Sequence, residues 1–368
     1  MKKMEFGEIV MDLAPDEEKD NSRNSEGAFI ELKDNKVLFI YSRFRGKSAA
    51  DFATADLTMI IFDQNMDKID EKIILKCETE NAINVMSVSL LRMNNDDIGM
   101  FYLVRKNRSD LKMYFRRSAD EGKTWGERTL CTSGEDVFVI NNDRVIRLSN
   151  GRILIPAAAH PITEEGYCER AEMTFFYSDD DGMTWNEVKN RIGLPNYSIC
   201  RSGLQEPGAI ELKPGQLMAW ARTDIGRQYQ AFSDDYGEHW SHSEPSVFTS
   251  PCSPLSMKLY RDDIIAIWNP VPEYNGRDPV TKYFLGGRCP FVIGISNDNG
   301  RSFSEPLAFE TDRSAGYCYC AVYFTEQYML LAYCAGGIED KSCLARCRIR
   351  KIHISALDKI IEIINKNE

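Results

Sequence analysis

One turn motif occurs four times in this chain, and its repetition constrains the fold more than any other feature. Each copy begins with Ser, has Asp two residues later and Gly two residues after that, and ends on an aromatic residue. Successive copies begin about 60 residues apart. A regular period indicates a repeat architecture in which each unit packs against its neighbours. The copies are Ser118–Trp125, Ser178–Trp185, Ser233–Trp240 and Ser296–Phe303.

The residue types in the motif explain why the chain turns there. The Asp carboxylate can accept backbone N–H bonds while the Gly adopts a positive φ, so the chain reverses between two strands. We expect the terminal aromatic residue to wedge between neighbouring repeats and to bury about 150–250 Å². Its role is therefore structural rather than catalytic.

Short apolar segments rich in β-branched and aromatic residues follow Gly or Asn turns, as at 36–41, 151–156 and 215–220. Such segments are typical of strands. Helical periodicity is confined to residues 357–365, so we predict a nearly all-β chain.

Two weaker repeats extend the count beyond the four clear turns. A degenerate copy of the turn lies at 62–68, and a last strand fits residues 347–354. Six units of about 56 residues each can hold a four-stranded blade. We therefore predict a six-bladed β-propeller that forms a single domain over residues 1–368.

Charge and composition exclude several functions. The 56 acidic and 45 basic side chains give a net charge of −11, which argues against a nucleic-acid partner but not against a small anionic substrate. The 11 cysteines lack metal-site spacing, so we expect free thiols. Neither a signal-peptide core near Met1 nor an apolar run of membrane-spanning length is visible. We expect a cytoplasmic protein with no membrane partner.

The segment Gln205–Leu212, followed by a turn and a strand that ends at Arg222, identifies a family. It resembles the segment of the sialidases in which a Glu opens one strand and an Arg closes the next. The repeated turns also resemble the Asp boxes of these six-bladed propellers. The resemblance implies that Glu206 activates a tyrosine nucleophile and that Arg222 binds the substrate carboxylate.

Two further arginines are implied by the same resemblance. Arg288, one strand before the fourth turn, is similar to the third arginine of the family. Arg23 opens the first blade as the first arginine does, but it lacks the usual Arg-Ile-Pro context, so Arg43 is the alternative. Planar guanidiniums that each donate two parallel hydrogen bonds suit a carboxylate.

The resemblance also implies a proton donor and a nucleophile. Asp51 falls where the family has its acidic loop residue, with Asp56 and Glu26 as alternatives. Tyr317 aligns best with the nucleophile, and Tyr319 is the alternative two residues on. A neutral phenol avoids the repulsion that a carboxylate nucleophile would feel from the substrate's own carboxylate, and a neighbouring carboxylate base is needed to activate it.

Three polar residues near Asn141 are secondary candidates. Asn142 and Arg144 precede a predicted strand that leads to His160. Such groups at the mouth of a blade can bind substrate hydroxyls, and they can equally satisfy buried backbone groups.

The sequence thus predicts an exo-α-sialidase that cleaves a terminal α-ketosidic sialic acid or a related ulosonic acid. The expected partner is a small molecule or glycan that carries a carboxylate, and no metal or organic cofactor is implied. The alternative is a propeller of the same fold that binds carbohydrate or hydrolyses another sugar.

Overall fold

A computed structural model describes residues 6–164, 166–194, 200–273 and 283–366. Within these ranges the regular structure is almost entirely β-strand. The strands of the first half are β1 (Glu8–Leu13), β2 (Arg23–Glu31), β3 (Val37–Phe44), β4 (Ala55–Phe62), β5 (Lys68–Leu75), β6 (Asn84–Arg92), β7 (Ile98–Asn107), β8 (Asp110–Ser118), β9 (Thr129–Leu130), β10 (Val137–Val139), β11 (Ile146–Arg147), β12 (Ile153–His160), β13 (Ile162–Thr163), β14 (Gly166–Tyr167), β15 (Glu172–Ser178) and β16 (Asn186–Glu187). The remaining strands are β17 (Gln205–Lys213), β18 (Gln216–Arg222), β19 (Arg227–Ser233), β20 (Glu244–Thr249), β21 (Ser256–Tyr260), β22 (Asp263–Trp268), β23 (Phe291–Ser296), β24 (Leu307–Glu310), β25 (Cys318–Phe324), β26 (Tyr328–Cys334) and β27 (Cys347–His353).

Apart from the short β13–β14 hairpin, the described strands group into six antiparallel units. Units 1 and 2 are β2–β5 and β6–β9, which share one eight-stranded sheet through a single parallel pair, Ala55 with Asn84. Unit 3 is β10-β12-β15-β16 with β11 alongside, and units 4 and 5 are β17–β20 and β21–β24. Unit 6 has the order β1-β27-β26-β25, so the first strand completes the last unit. The predicted all-β propeller is confirmed.

The predicted helical segment is also present. Helix α1 runs from Ile354 to Lys366 directly after β27. It buries Leu357 and Ile361 against the core of the last unit. In the described part of the chain, no helix combines the length and apolarity that crossing a membrane requires.

The repeated turns are held by the side chains that the motif supplies. Gly122 has a φ of +81°, and its N–H donates to Ser118 Oγ at 2.8 Å. The Asp120 carboxylate accepts from the Thr124 N–H at 2.9 Å and from the Thr124 hydroxyl at 2.6 Å. These two bonds lower the pKa of Asp120 to about 2. The same Asp-centred bonding recurs in the other three turns at Asp180, Asp235 and Asp298.

The terminal aromatic residues of the turns join neighbouring units. Trp240, which follows β19, stacks on Phe175 of β15 with 4.0 Å between ring centroids. Trp185, which follows β15, meets Phe101 of β7 edge-on at 5.9 Å. The turns therefore close each unit and also fasten it to the unit before.

Four innermost strands carry a bulge near their first residue. The antiparallel register shifts within β2, β6, β17 and β25. In each strand one non-glycine residue adopts a positive φ of 49–57° at the shift. Such backbone is costly and is typical of functional sites, where a bulge re-aims a side chain. The four bulge residues are Glu26, Ser87, Glu206 and Tyr319.

Candidate active site

The four bulge residues all line one cavity of about 230 Å³. A second cavity, of about 270 Å³, adjoins it. Asp51, Arg222 and Tyr319 line both. The bulges therefore turn side chains from four separate units towards a common space.

Tyr319 and Glu206 form the central contact of this site. The Tyr319 hydroxyl donates to Glu206 Oε1 at 2.9 Å, and both residues are at least nine-tenths buried. Burial, reinforced by the adjoining carboxylate, raises the pKa of the Tyr319 phenol. The phenol is therefore neutral at neutral pH, with a base already in hydrogen-bond contact.

Arg222 fixes the other side of Glu206. Its Nη2 donates to Oε1 at 2.9 Å, and its Nε lies 2.8 Å from Oε2. The register explains the pairing, because Arg222 at the end of β18 lies opposite Gln205 at the start of β17. Asn141 adds a longer contact to Oε2, at 3.4 Å.

Arg288 approaches the same region from the next unit. Its Nη2 donates to the Cys252 carbonyl at 3.3 Å, and Arg222 Nη1 donates to that same oxygen at 3.0 Å. Arg288 Nη1 donates to Cys318 Sγ at 3.0 Å. One carbonyl therefore brings two guanidiniums together beside Tyr319. All 11 cysteines, Cys252 and Cys318 included, are free thiols.

Arg23 lies beneath the site rather than on its wall. The side chain is fully buried, and it donates to Ser25 Oγ at 2.8 Å and to Asp51 Oδ1 at 2.6 Å. It also contacts Glu26. Although burial opposes the change, the Arg23 guanidinium lowers the pKa of Asp51. The structure thus brings Arg222 and Arg288 together, with Arg23 one layer below and bonded to Asp51.

Two carboxyl groups on this wall differ in their surroundings. The Asp51 side chain is 53% exposed at the mouth, whereas Glu26 is buried. Burial raises the pKa of Glu26 to about 7 against the opposing charge of Arg23, and the Asp51 carboxylate adds to the rise. Glu26 also accepts a hydrogen bond from Ser87 Oγ at 2.5 Å.

The geometry corrects the predicted nucleophile. Tyr317 is 2% exposed and packs in the hydrophobic core against Phe291 and Tyr333. It lines neither cavity. Strand alternation would place Tyr317 and Tyr319 on one face, but Tyr319 has a φ of +57° within the β25 bulge and turns away.

Arg43 and Asp56 also lie outside the site. Arg43 Nη2 donates to the Lys19 carbonyl on the exposed side at 2.8 Å. Asp56 accepts from the Cys77 N–H at 2.9 Å and pairs with Arg45 Nε at 2.9 Å. Arg45 also binds Glu78. The cluster of Asp56, Cys77 and Glu78 has metal-type ligand atoms, but a guanidinium already holds both carboxylates.

The secondary candidates divide in the same way. Asn142 donates to the Gly27 carbonyl at 2.8 Å and to the Tyr319 carbonyl at 3.2 Å, and Arg144 donates to the Leu255 carbonyl at 2.7 Å. Both side chains are structural anchors and do not line the first cavity. The adjacent Asn141 lines it in place of the predicted Asn142. His160 does line the cavity, and burial lowers its pKa.

Sequence reasoning missed several wall residues, namely Phe52, Arg105, Asn141, Tyr167 and Glu169. Arg105 had a usable signal in the repeat itself. It lies on β7 opposite Asn84, the first residue of β6. Arg222 on β18 has the equivalent position opposite the first residue of β17.

Fold and site together define a β-propeller in which a buried tyrosine donates to a carboxylate and two arginines meet beside it. Residues 69–330 match the family described as a BNR repeat-like domain. The match covers most of the chain, which therefore belongs to this family.

Known proteins resemble the chain in sequence and in structure. Sialidase-3 of Rattus norvegicus is 30% identical over 161 residues, which are 40% of this chain and 37% of that protein. The Hadza microbial sialidase Hz136 superimposes with a TM-score of 0.71 at 14% identity, over 95% of this chain and 69% of that one. Trypanosoma rangeli sialidase, in a covalent intermediate with 2,3-difluorosialic acid, superimposes with a TM-score of 0.68 at 13% identity. This match covers 93% of this chain and 56% of that one. The fold is that of the sialidase propellers.

Proposed function

We propose that the protein hydrolyses a terminal α-ketoside of sialic acid or of a related ulosonic acid, with Tyr319 as nucleophile. The observation that carries this proposal is the hydrogen bond from Tyr319 to Glu206 at 2.9 Å, with Arg222 on the same carboxylate. A buried phenol that donates to a carboxylate, with two guanidiniums lining the same cavity, is suited to attack a carbon that bears an anion.

Arg222 and Arg288 bind the substrate carboxylate. Both line the second cavity beside Tyr319, and they already converge on one carbonyl oxygen. Bound there, the carboxylate places the anomeric carbon near the Tyr319 hydroxyl. Glu206 takes the phenolic proton as the oxygen attacks, so the nucleophile gains its charge only during the reaction.

Asp51 protonates the departing oxygen. Its exposed position at the mouth suits contact with an aglycone that extends into solvent. Arg23 favours the anionic form of Asp51. Asp51 lines the same cavity as Arg222 and Arg288. The negative charge of a substrate carboxylate bound there disfavours the anionic form of Asp51 and raises its pKa towards that of a donor.

The related proteins support the proposal. The rat relative and two of the structural neighbours are sialidases, and one neighbour holds 2,3-difluorosialic acid in a covalent intermediate. The matched segment covers 37% of the rat protein. The activity is therefore a proposal for this chain.

The direct test is hydrolysis of 4-methylumbelliferyl α-N-acetylneuraminide by the wild-type chain. We expect turnover that falls at least about 1,000-fold in Tyr319→Phe, because the phenyl ring lacks a nucleophile. The matched control is Tyr317→Phe, two residues away in the core, which we expect to retain kcat within about threefold.

The outcome that contradicts the proposal is equally specific. Equal loss in both variants would assign the effect to folding and not to the nucleophile. Binding of free N-acetylneuraminic acid without any turnover by the wild type would favour the carbohydrate-binding alternative. Arg23 already bonds to Ser25, Asp51 and Glu26 and not to the cavity, which makes this alternative worth measuring.

A further inference from the structure

Arg105 is a buried cation with unsatisfied donors on the wall of the first cavity. Its side chain is 5% exposed, and neither Nε nor Nη1 has a hydrogen-bond partner in the described part of the chain. Apolar wall residues such as Leu103 and Leu111 offer it no acceptor. An unpaired buried charge costs several kcal/mol, which selection rarely tolerates without a function.

The anions nearest to Arg105 are already engaged elsewhere. Asp51 and Glu26 influence the charge of Arg105, but both carboxylates are bonded to Arg23. Glu26 has Ser87 as a further partner. Burial lowers the pKa of Arg105, in keeping with a guanidinium that has no ion-pair partner among the described residues.

Phe52 holds the guanidinium in place without satisfying it. The Arg105 guanidinium carbon lies 4.6 Å from the centroid of the Phe52 ring. Stacking of this kind fixes the plane of the group and leaves its N–H edge free. Since Phe52 directly follows Asp51, the same loop supplies the proposed proton donor and the platform for this cation.

Arg105 has a counterpart in the repeat, Arg222, which bonds to a carboxylate. Arg105 is related to it by strand register. It occupies the place in unit 2 that Arg222 occupies in unit 4, opposite the first residue of the innermost strand. Arg222 donates to a carboxylate and lines the cavity from the far side. Arg105 of unit 2 thus presents a guanidinium to the same cavity as Arg222. Among the described residues, its Nε and Nη1 have no acceptor of the kind that Glu206 provides for Arg222.

We propose that Arg105 is a specificity-determining residue that binds an oxygen acceptor on the sugar, at a substituent away from the carboxylate held by Arg222 and Arg288. The preferred substrate therefore carries a polar, oxygen-bearing group at this end of the cavity and not an apolar one. This inference rests on the proposed function and extends it to the substrate class.

The test compares Arg105→Met and Arg105→Lys with the wild type on 4-methylumbelliferyl α-ketosides of N-acetylneuraminic acid and of its deaminated analogue. We expect Arg105→Met to raise KM at least about tenfold, because a charged hydrogen bond is lost. We expect kcat to change less than about threefold, since the contact exists before and during the reaction. The KM of Arg105→Lys should lie between those of the wild type and Arg105→Met. An unchanged KM on both substrates would overturn the inference.

A measurement without ligand separates this inference from the proposed activity. Since Arg105 is unpaired, Arg105→Met should melt at or above the wild-type temperature. Arg116 of the same unit, which is bonded to Glu80 and Tyr102, is the control, and Arg116→Met should melt about 2–4 °C lower. If the wild type cleaves neither ketoside, the proposed activity fails and this comparison still decides: a lower melting temperature for Arg105→Met would make Arg105 a structural residue and overturn the inference.

Discussion

The Tyr319 hydroxyl donates to Glu206 Oε1 at 2.9 Å across 113 positions of sequence. Both residues have a positive φ, and each lies at a register shift near the start of an innermost strand. The contact depends on two strained bulges in different units, and under the proposed function it holds the nucleophile Tyr319 beside its base Glu206 before substrate binds.

Replacing the base should slow the chemical step and leave binding largely intact. We expect Glu206→Gln to lower kcat on the fluorogenic sialoside by about 100- to 10,000-fold, because the amide cannot accept the phenolic proton. Glu211→Gln on the same strand is the matched control, since Glu211 binds Ser149 and the Gly215 N–H away from the first cavity. Equal kcat values for the two variants would remove Glu206 from the mechanism.

Loss of the proton donor should lower kcat most for substrates with a poor leaving group. Asp51→Asn should reduce kcat far more for a sialoside with a sugar aglycone, by about 100-fold or more, than for the activated 4-methylumbelliferyl substrate. Glu26 lines the same cavity with a pKa of about 7, so Glu26→Gln is the comparison. If Glu26→Gln alone showed this dependence on the leaving group, the donor would be Glu26.

Glu26 also makes a prediction about stability and pH. Its folded pKa of about 7 lies above the usual value of 4.5, so the folded state holds the proton more tightly than the unfolded state. The free energy of unfolding should therefore fall as pH rises from about 4.5 to about 7, by at most about 3 kcal/mol.

Urea denaturation of wild type and Glu26→Gln between pH 5 and 8 measures this contribution. The relevant quantity is the difference between the two proteins, because the lowered pKa of His160 contributes the opposite slope below its usual value of 6.5. The free energy of unfolding of Glu26→Gln should rise relative to that of the wild type as pH increases to about 7. A difference independent of pH would show that Glu26 titrates normally.

The turns that join the units should contribute measurably to stability. Trp240→Ala removes a ring stacked on Phe175 of the preceding unit at 4.0 Å. We expect a loss of about 3 kcal/mol in the free energy of unfolding. Phe232→Ala, at a 37% exposed aromatic residue on β19, should cost less than about 1 kcal/mol. Similar losses for both would refute the special role of the turn aromatic.

The fold and part of the site could be predicted from the sequence because the interactions that form them are local. The turn uses side chains that bond within eight consecutive residues, so its geometry is local and the period could be read directly. Glu206 and Arg222 lie on the two strands of one hairpin, so the short stretch that resembles the sialidase segment contains both. Local interactions of this kind leave a pattern in the chain.

The remaining residues depend on structure that sequence does not display. Tyr317 and Tyr319 are indistinguishable by alternation, and only the bulge at Tyr319 separates core from cavity. Asn141 and Asn142 differ in the same way, since one lines the cavity and its neighbour anchors two strands. The repeat marks the position of Arg105, but only the structure shows that two of its buried donors lack an acceptor among the described residues.

Under the proposed mechanism, Tyr319 forms a covalent bond to the sugar. Incubation with 2,3-difluorosialic acid, followed by mass spectrometry of the intact chain and its peptides, tests it directly. We predict one added fluorosialyl group, located on Tyr319 and absent from Tyr319→Phe. A label on any other residue, or no label on a chain that turns over the fluorogenic sialoside, would contradict the account.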